Sequence, residues 1–171
     1  FNTFKQNMIK TKLADFKPAP TAVTSITVNN SSWKKIINAY YAMAAAKRWQ
    51  SDFLESMNYI NIQLKLSKQH FGKKSMVYTN GLIILGSNYS TLGSYKKAML
   101  CMENAIRLHK QGEINPIMLS SYYENLGILH RRFGEYESSV NCLQNALRIG
   151  PNDINSTYRN LGDTYLWKND L

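Results

Sequence analysis

Only two cysteines occur in 171 residues, so no disulfide framework organises the chain. Histidine is nearly as scarce. His70, His109 and His130 stand far apart, and no Cys-x-x-Cys, Gly-x-Ser-x-Gly or phosphate-cradling glycine loop accompanies them. The spacings that build zinc sites, acyl-transfer triads and nucleotide loops are missing, so the expectation is a non-enzyme with no catalytic residue, no metal and no cofactor. No apolar run approaches the roughly 18 to 20 residues that cross a bilayer, the stretch from Gly81 to Gly86 being far too short. Acid is also in deficit, with 11 Asp and Glu against 21 Lys and Arg and a net charge of +10. The imbalance is local: residues 1–75 carry twelve basic against three acidic side chains, residues 113–171 five against seven. A basic first half can attract an acidic protein, nucleic acid or an anionic surface, although solvated helix faces account for most charge of this kind. Neither an initiator Met nor a signal-peptide pattern opens the chain, which reads as a piece of a longer protein.

What is present is a repeat. Leu85, Gly86, Gly93, Tyr95, Cys101, Asn104, Ala105 and Arg107 return 41 residues later as Leu126, Gly127, Gly134, Tyr136, Cys142, Asn145, Ala146 and Arg148. Ordinary composition gives on the order of one or two such coincidences in a window this short, so a structural unit is duplicated. A third copy begins where Tyr123, Asn125, Leu126 and Gly127 recur as Tyr158, Asn160, Leu161 and Gly162. Within each copy the apolar residues fall at helical spacing in two runs, Leu82, Leu85, Tyr89 and then Tyr95, Ala98, Met102, Ala105 in the first. Gly93 and Gly134 lie between the runs, where tolerance of positive φ lets one helix end and the chain reverse. Gly86, Gly127 and Gly162 fall inside helices at a cost of about 1 kcal/mol each relative to alanine, and close approach of the paired helix is the expected compensation. Cys101 and Cys142, at equivalent places on stacked helices, should lie about 10 Å apart, beyond bridging distance. Reduced thiols favour a cytoplasmic location.

These residues resemble the tetratricopeptide repeat family, whose pattern is an aromatic, Leu-Gly three residues on, a Tyr three further, a later Ala before a large apolar residue, and a closing Pro. One copy supplies Tyr123, Leu126, Gly127, His130, Leu143, Ala146 and Pro151, and the copy before it Leu82, Leu85, Gly86, Tyr89, Ala98, Met102 and Ala105. His130 replaces the Tyr and is read as a packing residue. The 41-residue offset is similar to the long-linker variety found in kinesin light chains. The resemblance implies an all-α, right-handed solenoid of antiparallel hairpins.

Upstream, Trp33, Ile36, Ile37, Tyr40, Met43 and Ala44 form one amphipathic run, capped by Ser31 or Ser32, and Trp49, Phe53, Met57, Ile60 and Leu64 a second, with Lys47 where later copies have the turn glycine. Seven helices are expected, at about 32–46, 51–69, 75–91, 95–110, 116–132, 136–149 and 154–168. Residues 1–30, with Pro18, Pro20 and a run of Thr, Ser and Asn, read as an arm or linker, either poorly ordered or docked. Residues 31–171 read as the repeat domain: a degenerate hairpin over 31–70, repeats at 75–112 and 116–152, and a partial repeat at 154–171. The last helix should expose an apolar face.

In that family the first helix of each pair lines a concave face that holds an extended or helical segment. By resemblance the groove presents Asn38 and Tyr41, then Asn80, Ile84 and Ser87, then Ser121, Asn125, Ile128 and Arg132, and finally Arg159, Asn160, Asp163 and Trp167, with Lys34, Ala45, Thr91 and Ser156 on the same faces. Asn125 and Asn160 precede Leu-Gly, where kinesin-light-chain-like members bond a ligand's main chain, an amide having both donor and acceptor. The carboxylate clamp of chaperone-binding members is disfavoured, since its places hold Ile37, Ile83 and Ser87. The implied function is a non-catalytic interaction module binding a protein, a peptide or another domain of its own chain. Two alternatives stay open: a basic helical-repeat domain for nucleic acid, and a regulatory repeat tethered to an enzyme domain outside these residues. Trp33, Tyr40, Tyr41 and Trp49 interleave with basic residues, but at core spacing.

Overall fold

The computed structural model describes residues 29–112 and 114–169. Among them the chain forms seven α-helices and no strand: α1 (Asn30–Trp49), α2 (Phe53–His70), α3 (Met76–Thr91), α4 (Tyr95–Lys110), α5 (Pro116–Arg132), α6 (Tyr136–Ile149) and α7 (Ile154–Asn169). The first 28 residues, where the sequence places an arm, lie outside the described part.

Local chemistry sets these limits. Asn29, Asp52, Ser75 and Asn115 each turn a side-chain oxygen onto the backbone N–H three residues ahead, and Pro116 opens α5 with its fixed φ. Asn29 therefore caps α1, in place of the expected Ser31 or Ser32, because only a residue outside the helix can adopt the extended backbone a cap requires. Gly93 and Gly134 have φ of +73° and +81°, and the N–H groups that follow them donate to Tyr89 and His130 at 2.8 and 2.9 Å. The two turns are the same turn, 41 residues apart. In the first hairpin the left-handed residue is Ser51, φ +61°, and not Lys47. Helix α1 consequently runs three residues further than expected. Trp49, assigned from spacing to the second helix, ends the first and is 89% exposed.

Each helix packs on the next in sequence, and the odd-numbered ones also touch one another: α1 on α3, α3 on α5, α5 on α7. The even-numbered helices α2, α4 and α6 make no such contacts with each other. The layer whose members meet is the tighter one, so the stack curves with α1, α3, α5 and α7 on its inner side.

Small residues permit the close pairing. A Cβ on Gly86 would sit 3.1 Å from the Ala98 carbonyl oxygen and 3.1 Å from Met102 Cγ, and one on Gly127 would sit 2.9 Å from Leu143 Cγ. Gly162 differs: nothing lies within 4 Å of its Cβ position, so the packing expected there is not found among the described residues. Tyr158, Tyr165, Leu166 and Trp167 on the same helix are exposed. Between the glycine notches sits a core of Ile83, Ala98, Met102, Ala105, Ile106, Leu119, Tyr122, Leu126 and Leu129, with a second cluster of Ala44, Ile60, Leu64 and Leu85. Buried polar groups pin one helix to the next. Ser56 donates to the Ala44 carbonyl and accepts from Asn88, both at 2.8 Å, tying α1, α2 and α3, while Ser120 donates to the Ala146 carbonyl at 2.9 Å. His130 is buried and its Nδ1 lies 2.6 Å from Glu135, a packing position as expected from its alignment with Tyr89.

Candidate functional site

The inner layer carries the residues singled out in the sequence, and the structure divides them. Ser87 on α3 and Asn125, Ile128 and Arg132 on α5 line one cavity of about 160 Å³, together with Arg48, Ser90, Met102 and Leu129. Arg132 also borders a larger space of about 690 Å³, where Asp163 and Trp167 of α7 meet Tyr95, Phe133, Gly134, Tyr136 and Arg131. Arg132 borders both hollows, the larger of which lies where the α5–α6 turn and the starts of α4 and α6 meet α7. Trp167 is 61% exposed there, and Arg131 pairs with Asp163 at 2.8 Å. Neither hollow is bordered by Asn38, Tyr41, Asn80, Ile84, Ser121, Arg159 or Asn160. Asn38 and Arg159 are exposed, whereas Tyr41 and Ile84 are half-buried against the core cluster of Ala44, Ile60, Leu64 and Leu85.

The asparagines are not uniform. Asn125 donates to the Ser121 carbonyl of its own helix at 2.8 Å. One N–H and the carbonyl oxygen of its amide are left for a ligand. Asn80 accepts from the Tyr122 hydroxyl, and Asn160 donates to Glu124 at 2.9 Å, so both link neighbouring inner helices. Ser121 returns its hydroxyl to the Ile117 carbonyl at 3.1 Å. Tyr122 is the centre of this seam, lying 3.1 Å from the Thr79 hydroxyl and edge-on to the His109 ring, with centroids 5.3 Å apart. Burial pushes its phenol up to about 12. Desolvation likewise raises Tyr41, Tyr78 and Cys101, and takes Cys142 to about 11. Both thiols are free and protonated at neutral pH, which suits packing and not nucleophilic attack.

Arg48 and Ser90 were missed in the sequence. Lys34, Asn38, Tyr41 and Ala45 continue at helical spacing to Arg48, but a helix ended at residue 46 stops short of it. The Arg48 guanidinium lies close enough to Tyr41 to oppose part of the upward shift of that phenol. Among the described residues no group of three His, Cys, Asp or Glu could hold a metal ion, and no helix is long and apolar enough to cross a membrane.

A repeated pair of helices with a notched glycine, stacked so that the first helices form an inner layer, defines a helical-repeat protein. Residues 80–111 and 120–153 match the tetratricopeptide repeat family model, so the chain carries two repeats of this kind. Its fold is similar to the crystal structure of BtubC (BKLC) from P. vanneervenii, with a TM-score of 0.63 and 21% identity over 70% of this chain and 49% of that one. It is also similar to the N-terminal domain of stress-induced protein-1 (STI-1) from C. elegans, with a TM-score of 0.61 and 10% identity over 78% of this chain and 98% of that domain. The chain thus spans about half the length of the first of these structures. A search of curated proteins gives no match. Tetratricopeptide repeats as a class mediate protein–protein interaction and are in general non-catalytic.

Proposed function

We propose that residues 31–171 form one interaction domain, whose inner face binds an extended segment of a partner protein or of its own chain and catalyses nothing. The observation that carries this reading is the cavity lined by Arg48, Ser87, Asn125, Ile128 and Arg132, with a second hollow on the other side of Arg132 at Asp163 and Trp167. These hollows offer one unspent amide N–H and a carbonyl oxygen at Asn125, apolar contact at Ile128 and Trp167, and a wall of stacked helices that loses little entropy on binding. The long-linker, kinesin-light-chain-like character and a cytoplasmic location belong to the same proposal. Because Asn125 borders the cavity and Asn160 borders neither hollow, Asn125 takes the main ligand-bonding part that the sequence shared between the two asparagines.

A random short-peptide display library panned on the wild-type protein tests the proposal. Enrichment of peptides that lose about tenfold or more in affinity for the double variant Asn125→Ala with Trp167→Ala, at unchanged helical content, is the expected result. Peptides that bind wild type and variant alike would place their site elsewhere.

One observation favours a second reading. Trp49 stands almost fully exposed beside Arg48, Phe53 and Thr91, which corrects the core placement expected for it and provides a surface on which a base could stack. Trp33, by contrast, stacks on His70 with centroids 3.8 Å apart, and Tyr40 and Tyr41 are half-buried, so no platform extends from Trp49. The peptide reading is therefore preferred.

A further inference from the structure

Two arginines border the smaller cavity, and neither makes an ion pair among the described residues. They come from the last turns of α1 and α5, which brackets α3 between them. Arg48 Nε is buried and without a hydrogen-bond partner. No carboxylate borders the cavity. The acids of the inner layer are engaged elsewhere, Asp163 with Arg131 at 2.8 Å and Glu124 with Ser156 and Asn160 at 3.1 and 2.9 Å. Two like charges facing a half-enclosed space repel, and an orphaned guanidinium N–H is costly, so the arrangement is relieved by an incoming anion.

We propose that this cavity holds a carboxylate: an aspartate or glutamate side chain of the segment bound in the groove, gripped between Arg48 and Arg132. The inference rests on the peptide-binding reading above and names the chemistry its ligand must carry. Guanidinium forks match a carboxylate's two oxygens, and Ser87, Ser90 and Asn125 supply further donors at the rim. Met102, Ile128 and Leu129 provide an apolar surround that accommodates the side chain's methylenes and strengthens the charge-assisted bonds. The 160 Å³ of space equals about five waters, enough for one such side chain. A nucleic-acid backbone, whose charges recur every few ångströms, calls for a track of cations, and only two border this space. Of the places named above for the carboxylate clamp only Ser87 borders this cavity, Ile37 and Ile83 lie outside its lining, and its cations come from Arg48 and Arg132 instead.

Peptides enriched on wild type are resynthesised with each Asp or Glu changed singly to Asn or Gln, and measured against wild type, Arg48→Gln and Arg132→Gln. One acidic position is expected whose amide form binds wild type about tenfold or more weakly, the scale of a charge-assisted pair. Each arginine variant should lose that discrimination while binding the amide peptide as well as wild type does. Selected peptides with no such position, or a preference that survives both variants, would overturn the carboxylate site and leave the groove reading intact. Failure of wild type to enrich any peptide removes both. Labelled random single-stranded RNA is the remaining arm: RNA binding lost in both variants, with peptide binding unaffected, would assign the arginines to phosphate and contradict the proposal. Arg132 is exposed, so Arg132→Gln keeps the test decisive even if Arg48→Gln perturbs folding.

Discussion

Tyr122→Ala is expected to lower the free energy of unfolding by about 3–5 kcal/mol, the range for deleting a buried aromatic ring. The side chain is 3% exposed and meets three helices at once: α3 through Thr79 and Asn80, α4 through the His109 ring, and its own α5 through the core around Leu126 and Leu129. Chemical denaturation of the purified protein measures the loss. A change under about 1 kcal/mol would mean that the seam between the inner helices carries little of the stability.

Tyr122→Phe separates ring from hydroxyl. It keeps the packing but leaves Thr79 and Asn80 without their partner, at a cost of about 1–3 kcal/mol near neutral pH. The hydroxyl also makes stability depend on pH. A phenol held at about 12 in the folded chain and near 10 in the unfolded one stabilises fully below about pH 10, and that contribution, about 2–3 kcal/mol, disappears as the pH rises toward 12. Wild type should therefore lose stability across this window. The phenylalanine variant should lose less, since what remains to respond there is Tyr41, Tyr78 and the two thiols, shifted upward by burial, with Tyr59 and Lys47, shifted upward by the Glu55 carboxylate.

The helical glycines give a prediction of opposite sign at equivalent places. Gly127→Val should destabilise by about 3 kcal/mol, because its Cβ would stand 2.9 Å from Leu143 Cγ and 3.2 Å from the Ser139 carbonyl oxygen, and a backbone atom cannot step aside as a side chain can. Gly162→Ala meets open space and should stabilise by about 1 kcal/mol through helix propensity alone. Thermal melts decide. Equal effects at the two sites would refute the idea that the notch serves helix pairing.

These contrasts show what a sequence of this kind reveals. The end of α3, both ends of α5 and the starts of α4 and α6 can be read directly, because the residues that set them, Gly93, Gly134 and Pro116, act through their own backbone geometry and need no tertiary context. The first hairpin is harder. Its turn relies on Ser51 in a left-handed conformation that serine seldom adopts, so alignment with the glycine repeats pointed to Lys47 and shortened α1. That error hid Arg48 and misplaced Trp49. The inner faces were legible as helical stripes, yet periodicity assigns a residue to a face without saying what it bonds. Asn80, Asn125 and Asn160 look alike in the sequence, and only their bonds to Tyr122, Ser121 and Glu124 separate the two that tie neighbouring inner helices together from the one bonded within its own helix.

The account stands on the inner layer as the surface that grips a guest segment, and amide hydrogen exchange with and without a selected peptide examines this directly. Added protection should appear along α1, α3, α5 and α7, densest around Ser87 on α3 and from Asn125 to Arg132 on α5, with α2, α4 and α6 unchanged. Protection concentrated on α2, α4 and α6 would contradict it.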